Sequence, residues 1–159
     1  MLVSIYAAAE WRNVMKFINI YGLIFVAVIM IPNIIFAIRC RGGFCNKGIG
    51  KFIETAEQIG RFGCFGFMAA NIPGTCFGWL FDKAFIVYLA VNTVLSAAYC
   101  IIWAVCFKRN SLFRALALSV IPSVMFLFSG IMMRSALLII SSGIFMPSHV
   151  AISYKNVKA

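Results

Sequence analysis

Hydrophobic residues run through the chain in long blocks that are separated by short polar connectors. The first block, 17–38, contains no charged residue and would span about 33 Å as a helix, close to the thickness of a bilayer's hydrocarbon core. Similar blocks follow, so the sequence predicts an all-α integral membrane protein with five transmembrane helices in a single domain, 1–159. The predicted spans are 17–38, 62–80, 84–107, 115–133 and 136–154. The connector 134–135 is so short that a re-entrant hairpin is the alternative for the last two blocks.

The connector between the first two predicted spans is amphipathic over residues 49–61. Its apolar side chains recur at helical spacing, while Lys51, Glu54, Glu57 and Arg61 take other faces. Glu57 and Arg61 are four residues apart, in the order that favours an ion pair on a helix surface. We therefore expect a helix over 49–61 that lies along the cytoplasmic surface of the membrane.

The composition places the chain in a membrane and the charges orient it. Hydrophobic residues make up 64% of the chain and charged residues only 11%, against about 25% charged residues in soluble domains. The side predicted to face outward has four of the 14 lysines and arginines: Arg12, Lys16, Lys83 and Arg134. The excess on the other side predicts an outside N-terminus and a cytoplasmic C-terminus, in a plasma or inner membrane.

The net charge of +10 indicates a partner at the membrane surface. Basic residues are spread over short connectors and do not form a patch with interleaved aromatic side chains, which argues against nucleic acid. Anionic lipids at the cytoplasmic face are the expected partners of these charges.

A stripe of small residues marks the second predicted span. Gly66, Ala70, Gly74 and Gly78 follow one another at four-residue spacing, and small residues allow two helix backbones to approach closely in lipid. We expect this stripe to be a helix interface, either inside the bundle or between subunits of a homo-oligomer or a larger membrane complex.

Prolines with polar neighbours suggest a ligand-binding layer. A proline inside a helix leaves the carbonyl four residues earlier without its backbone donor, and in lipid that carbonyl needs another partner. Three prolines lie at similar distances from the predicted cytoplasmic ends, where half-broken helices could form a small-molecule site. The predicted ligand-binding residues are Asn33, Asn71, Asn92, Ser123, Ser148 and His149, walled by Tyr88, Tyr99 and Trp103.

His149 is the only histidine and the only residue of this layer whose type has an unperturbed pKa near neutrality, so a proton-donating or ligand-binding role is chemically open to it. We expect a neutral imidazole bonded to Asn or Ser on a neighbouring helix. The acids are Glu10, Glu54, Glu57 and Asp82, all predicted in connectors or near helix ends, so no buried carboxylate is expected. This disfavours an acidic proton relay or an acidic channel ring.

The six cysteines form no recognisable metal or redox motif, because the paired spacing of zinc ligands and the C-x-x-C pattern are both missing. We predict no metal, cofactor or catalytic residue. The favoured function is binding or translocation of a small molecule through a polar layer in the inner half of the bilayer. An accessory, regulatory or immunity-type subunit that docks a partner protein is the alternative, and an intramembrane enzyme acting on a lipid is the third.

Overall fold

The computed structural model describes residues 17–39, 50–107 and 111–158. These ranges form five helices: α1 (Ile20–Arg39), α2 (Lys51–Ala69), α3 (Ala84–Cys106), α4 (Leu112–Met132) and α5 (Ala136–Lys158). They contain no strand, only isolated bridges between Ile18 and Ala70 and between Cys76 and Ser135. The predicted outside N-terminus and the glycine-rich connector 40–49 lie outside the described residues.

Four of these helices are long and apolar enough to cross a membrane: α1, α3, α4 and most of α5. Large apolar side chains also cover the outside of the bundle, as on α3, where Ile86, Val94, Ile101 and Val105 are all exposed. Such surfaces suit lipid better than water. The expectation of an all-helical, membrane-embedded protein is therefore confirmed for the described residues, and α4 and α5 are two separate helices that are each long enough to cross a membrane.

The second predicted span is wrong in its boundaries. Residues 51–69 form the single helix α2, which joins most of the predicted interfacial helix to the start of the predicted span 62–80. The helix ends at Ala69, and Gly74 and Gly78 follow with φ values of 81° and 83°. Pro73 followed by Gly74 favours a turn over a helix, because proline disfavours helical geometry at the preceding residue and glycine adopts positive φ easily.

The non-helical segment 70–83 packs against the turn between α4 and α5. Phe77 N donates to Arg134 O at 3.3 Å, Leu80 N to Met132 O at 3.0 Å, and Ala136 N to Thr75 O at 3.0 Å. Asn19 N donates to Ala69 O at 2.8 Å in the same region, so α1 begins where α2 ends. We call this side of the bundle the Arg134 end, and the opposite side, where α4 begins and α5 ends, the Arg114 end.

Glycines bring α2 very close to its neighbours. A Cβ atom placed on Gly60 would lie 2.7 Å from Phe145 N of α5, and one on Gly63 would lie 2.5 Å from Ser141 Oγ. Gly22 of α1 similarly contacts the backbone of Met68. Small residues of this kind stabilise helix pairs in lipid by allowing close backbone packing. The contact with α5 holds the polar face of α2 inside the bundle.

The interior prolines do not break their helices. Pro32, Pro122 and Pro147 lie within the uninterrupted helices α1, α4 and α5. In each case the side chain of the next residue donates to the carbonyl four residues before itself: Asn33 to Ile29 O at 3.0 Å, Ser123 to Ser119 O at 2.7 Å and Ser148 to Ile144 O at 2.7 Å. These side chains thus bond to their own helices.

Candidate functional site

A cavity of about 650 Å³ opens among the five helices toward the Arg114 end. Its size falls within the range of small-molecule sites, about 300–1,000 Å³. Its polar and charged wall residues are Asn33, Glu57, Gln58, Arg61, Tyr99, Arg114, His149, Ser153 and Asn156. Aromatic and aliphatic side chains complete the wall, among them Ile29, Phe36, Phe65, Trp103, Leu118, Phe126 and Phe145.

Glu57, Arg61 and His149 form a charged cluster in this wall. Glu57 Oε1 accepts hydrogen bonds from both Nε, at 3.0 Å, and Nη2 of Arg61. His149 Nδ1 of α5 lies 2.9 Å from the same oxygen. The side chain of Glu57 is 2% exposed, whereas those of His149 and Arg61 are 21% and 36% exposed. The cluster is therefore a buried carboxylate with two cationic or basic side chains as partners, both of which reach the cavity.

The contact between α2 and α5 explains how the cluster is built. Gly60 lies against the backbone of Phe145, one turn before His149, so the two helices are close enough for Glu57 to reach the imidazole. The ring of Phe145 stacks on that imidazole, with a centroid distance of 4.5 Å and an interplanar angle of 19°. A carboxylate on one ring nitrogen and an aromatic face on the ring together fix the orientation of His149.

The hydrogen bond between His149 Nδ1 and a carboxylate also determines whether the other ring nitrogen, Nε2, is a donor or an acceptor. A carboxylate accepts the Nδ1 proton, which leaves Nε2 as an acceptor in the neutral ring and as a donor in the protonated ring. Nε2 has no hydrogen-bond partner among the residues that the structure describes. His149 can therefore present either a lone pair or an N–H group to a molecule in the cavity.

Arg114, in the first turn of α4, also lines the cavity. Its Nη1 donates to the carbonyls of Cys106 at 3.4 Å and Phe107 at 3.2 Å, at the C-terminus of α3. Its guanidinium lies over the rings of Phe36 and Trp103, at 4.9 and 5.3 Å from their centroids. These cation–π contacts and the carbonyls at the end of α3 stabilise the positive charge of the Arg114 guanidinium in this position.

An amide and a phenol join α1 to α3 in the cavity wall. The hydroxyl of Tyr99 donates to Asn33 Oδ1 at 3.0 Å, so both side chains are held in place. The indole N–H of Trp103, one turn further along α3, is buried and makes no hydrogen bond within the described ranges.

The structure brings four of the predicted ligand-binding residues into the cavity wall: Asn33, Tyr99, Trp103 and His149. The other five lie elsewhere. Tyr88 and Asn92 are buried in the core, where Asn92 donates to Tyr88 O and accepts from Ser129 Oγ at 3.1 Å. Ser123 and Ser148 are buried and bond to their own helices, and Asn71 lies at the Arg134 end. The predicted single polar layer is therefore not formed.

The predicted stripe of small residues does not form a helix face. Gly66 lies on α2, but Ala70 caps that helix and Gly74 and Gly78 belong to the non-helical segment 70–83. A Cβ on Gly66, Gly74 or Gly78 would meet no atom within 4 Å. The close helix contact is made instead by Gly60 and Gly63, which are three residues apart on the side of α2 that faces α5.

Glu57 and Arg61 were missed as site residues, and the expectation that no carboxylate is buried is wrong. The expected Asn or Ser partner of His149 is wrong too, because its partner is Glu57. The sequence does contain a signal for the burial of Glu57. Glu57, Gly60 and Cys64 recur at spacings of three and four and share one helix face, and all three are buried.

In the part of the chain that the structure describes, no three His, Cys, Asp or Glu side chains converge in a way that could hold a metal ion. Cys64, Cys76, Cys100 and Cys106 are free thiols, and Cys40 and Cys45 lie outside the described residues. The polar contacts that the described cavity wall offers are hydrogen bonds and ion pairs.

Comparison of the chain with models of known protein families, with curated protein sequences and with solved structures finds no match.

Proposed function

We propose that this membrane protein binds a small amphipathic molecule in the cavity at the Arg114 end. The observation that carries the proposal is the mixed wall of that cavity, which combines charged and apolar side chains. Glu57, Arg61 and His149 supply polar and charged contacts, while Phe36 and Phe126 belong to an apolar portion of the same wall. Sites for small molecules combine an apolar lining with a few fixed polar groups in this way.

Binding is better supported than translocation. Fully buried side chains fill the bundle between the cavity and the Arg134 end, among them Met68, Asn92 and Met125. A molecule that passed through would have to displace this core, which is held in part by the hydrogen bond between Asn92 and Ser129. The proposal therefore concerns a site with access from one end of the bundle or from between its helices.

The proposed orientation places the Arg114 end in the cytoplasm, with the N-terminus outside. Basic residues concentrate near this end in the sequence, as cytoplasmic flanks of membrane helices do. Helix α2 runs antiparallel to α5, as shown by the paired contacts of Glu57 with His149 and of Gly63 with Ser141. We therefore propose that α2 crosses the membrane with the four apolar helices, its charged middle being neutralised by the pairing of Glu57 with Arg61.

The test fills the cavity with a larger side chain. Ala115 of α4 lines the cavity, whereas Val120 on the same helix is exposed and lies outside it. Purified wild type, Ala115→Phe and Val120→Phe are reconstituted in lipid nanodiscs, and their unfolding midpoints are measured against a library of small amphiphiles and metabolites. A ligand of the folded state raises the midpoint by mass action.

We expect compounds that stabilise the wild type and Val120→Phe but not Ala115→Phe. If no compound does so, or if Ala115→Phe responds like the wild type, the cavity is not a binding site. Stabilisation that appears only with a co-purifying membrane protein would instead support the docking subunit.

A further inference from the structure

We infer that the occupant of the cavity is an amphiphile with one anionic head group, held by Arg61 and by the Nε2 atom of His149. The inference rests on the proposed function and names the class of ligand. A free single-chain acid and the head group of an anionic membrane lipid share this chemistry.

The charges of the cavity wall favour an anion. Within the charged cluster the single carboxylate of Glu57 is paired with Arg61, and His149 adds a second positive charge whenever its ring is protonated. A positive charge in excess of the carboxylate is costly among apolar helices, and an anionic ligand would offset it.

The arrangement of donors points to where the anion binds. A guanidinium has five N–H donors, and Arg61 uses only Nε and Nη2 on Glu57. Its Nη1 has no hydrogen bond with the described residues, and the side chain is 36% exposed. Arginine with donors to spare is well suited to carboxylate, sulfonate or phosphate oxygens.

Glu57 acts here as a positioning residue. It fixes the guanidinium of Arg61 through two hydrogen bonds and the imidazole of His149 through one. With Nδ1 directed at the carboxylate, a protonated His149 has its remaining donor at Nε2. Glu57 thereby orients two donors, Arg61 of α2 and Nε2 of His149 of α5, so that both can bind one anionic group.

The apolar part of the ligand is accommodated by the rest of the wall. Phe36, Trp103, Leu118 and Phe126 come from α1, α3 and α4 and line the same cavity as the charged cluster. A cavity of about 650 Å³ holds a molecule of drug-like size. A single short alkyl chain or small ring system is therefore the apolar part that we infer.

The experiment compares three probes with the same alkyl chain: decanesulfonate, decanol and decyltrimethylammonium. Affinities are obtained from the concentration dependence of the unfolding midpoint in phosphatidylcholine nanodiscs. The variants are Glu57→Gln/Arg61→Gln, which removes the guanidinium together with the carboxylate that it pairs with, and Arg61→Lys, which keeps the cation. Lys51→Gln is the matched control, because it removes an exposed positive charge from the same helix outside the cavity.

We expect the wild type and Lys51→Gln to bind decanesulfonate at least about tenfold more tightly than decanol, since hydrogen bonds to charged groups are worth about this much. Arg61→Lys should retain part of this preference, and the double variant should lose it. Equal affinities for the three probes, or a double variant that keeps the preference, would overturn the inference. In either case a probe still binds and Ala115→Phe still blocks it, so the proposed function stands. If no probe binds and Ala115→Phe has no effect on any compound, both fail.

The two sources of the anion are separated by the lipid. Nanodiscs that also contain phosphatidylglycerol should weaken the binding of decanesulfonate if a membrane lipid head group enters the site. Binding that is independent of phosphatidylglycerol identifies a free single-chain anion as the ligand. Both results support an anionic head group.

Discussion

His149 Nδ1 lies 2.9 Å from Glu57 Oε1, and the two residues are 92 positions apart in the sequence. This contact joins α2 to α5, and both residues also line the cavity. The same two side chains therefore contribute to the packing of the bundle and to the candidate site. Removing the carboxylate affects the orientation of the imidazole, and removing a cationic partner affects a charge that is almost fully buried.

The two members of the Glu57–Arg61 pair should differ in their effect on stability. Arg61→Gln leaves a carboxylate that is 2% exposed with only His149 as partner, whereas Glu57→Gln leaves a guanidinium that is 36% exposed. We expect Arg61→Gln to lower the free energy of unfolding by about 1–3 kcal/mol and Glu57→Gln to lower it by less. Chemical unfolding of both variants and of the double variant measures the coupling. A double variant less stable than Arg61→Gln alone would contradict this account.

Gly60→Ala should destabilise the bundle. The new Cβ would lie 2.7 Å from Phe145 N, so α2 and α5 would have to separate, and overpacking of this kind costs about 1–3 kcal/mol. Gly66→Ala on the same helix is the control, because its Cβ meets no atom within 4 Å. Since alanine is the better helix former, Gly66→Ala should be neutral or stabilising. Equal losses in the two variants, measured as unfolding midpoints, would show that α2 and α5 are not in close contact at Gly60.

Gly78→Ala tests the non-helical segment 70–83. Gly78 has a φ of 83°, and an L-residue in left-handed geometry costs about 1–2 kcal/mol. A Cβ there would meet no neighbouring atom, so the expected loss of stability comes from the backbone alone. If residue 78 belonged instead to a helix continuing from α2, alanine would stabilise the protein. The sign of the change in the unfolding midpoint separates these two conformations.

The apolar helices could be predicted from the sequence because length and hydrophobicity alone determine them. Helices α3 and α5 agree closely with the predicted spans 84–107 and 136–154. The segment after Ala69 could not be assigned in this way, since its residues are as hydrophobic as a membrane helix and only Pro73 with Gly74 indicates a turn. The high hydrophobicity of this segment therefore led to a predicted span, 62–80, that runs through the turn.

The candidate site was predicted only in part, for a related reason. Asn33, Tyr99, Trp103 and His149 lie in the cavity wall, but Ser123 and Ser148 have acceptors on their own helices. A helical pattern shows which residues share a face, and it does not show whether a hydroxyl bonds to its own backbone. Glu57 was assigned to the membrane surface because charged residues there are common. Its burial depends on the approach of α5 at Gly60, a contact between segments that are distant in the sequence.

The seven residues 57–63 serve both the packing of two helices and the wall of the cavity. Gly60 and Gly63 leave no room for a side chain against α5, and Glu57 and Arg61 line the cavity from the same two turns. On the lipid-facing surfaces of the apolar helices, one apolar side chain can be substituted for another with little effect. A substitution at any of these four positions would disturb either the helix packing or the charged cluster. The pattern E-x-x-G-R-x-G, followed by a histidine in a later apolar helix, is therefore a fingerprint by which genomes can be searched for chains that share this arrangement.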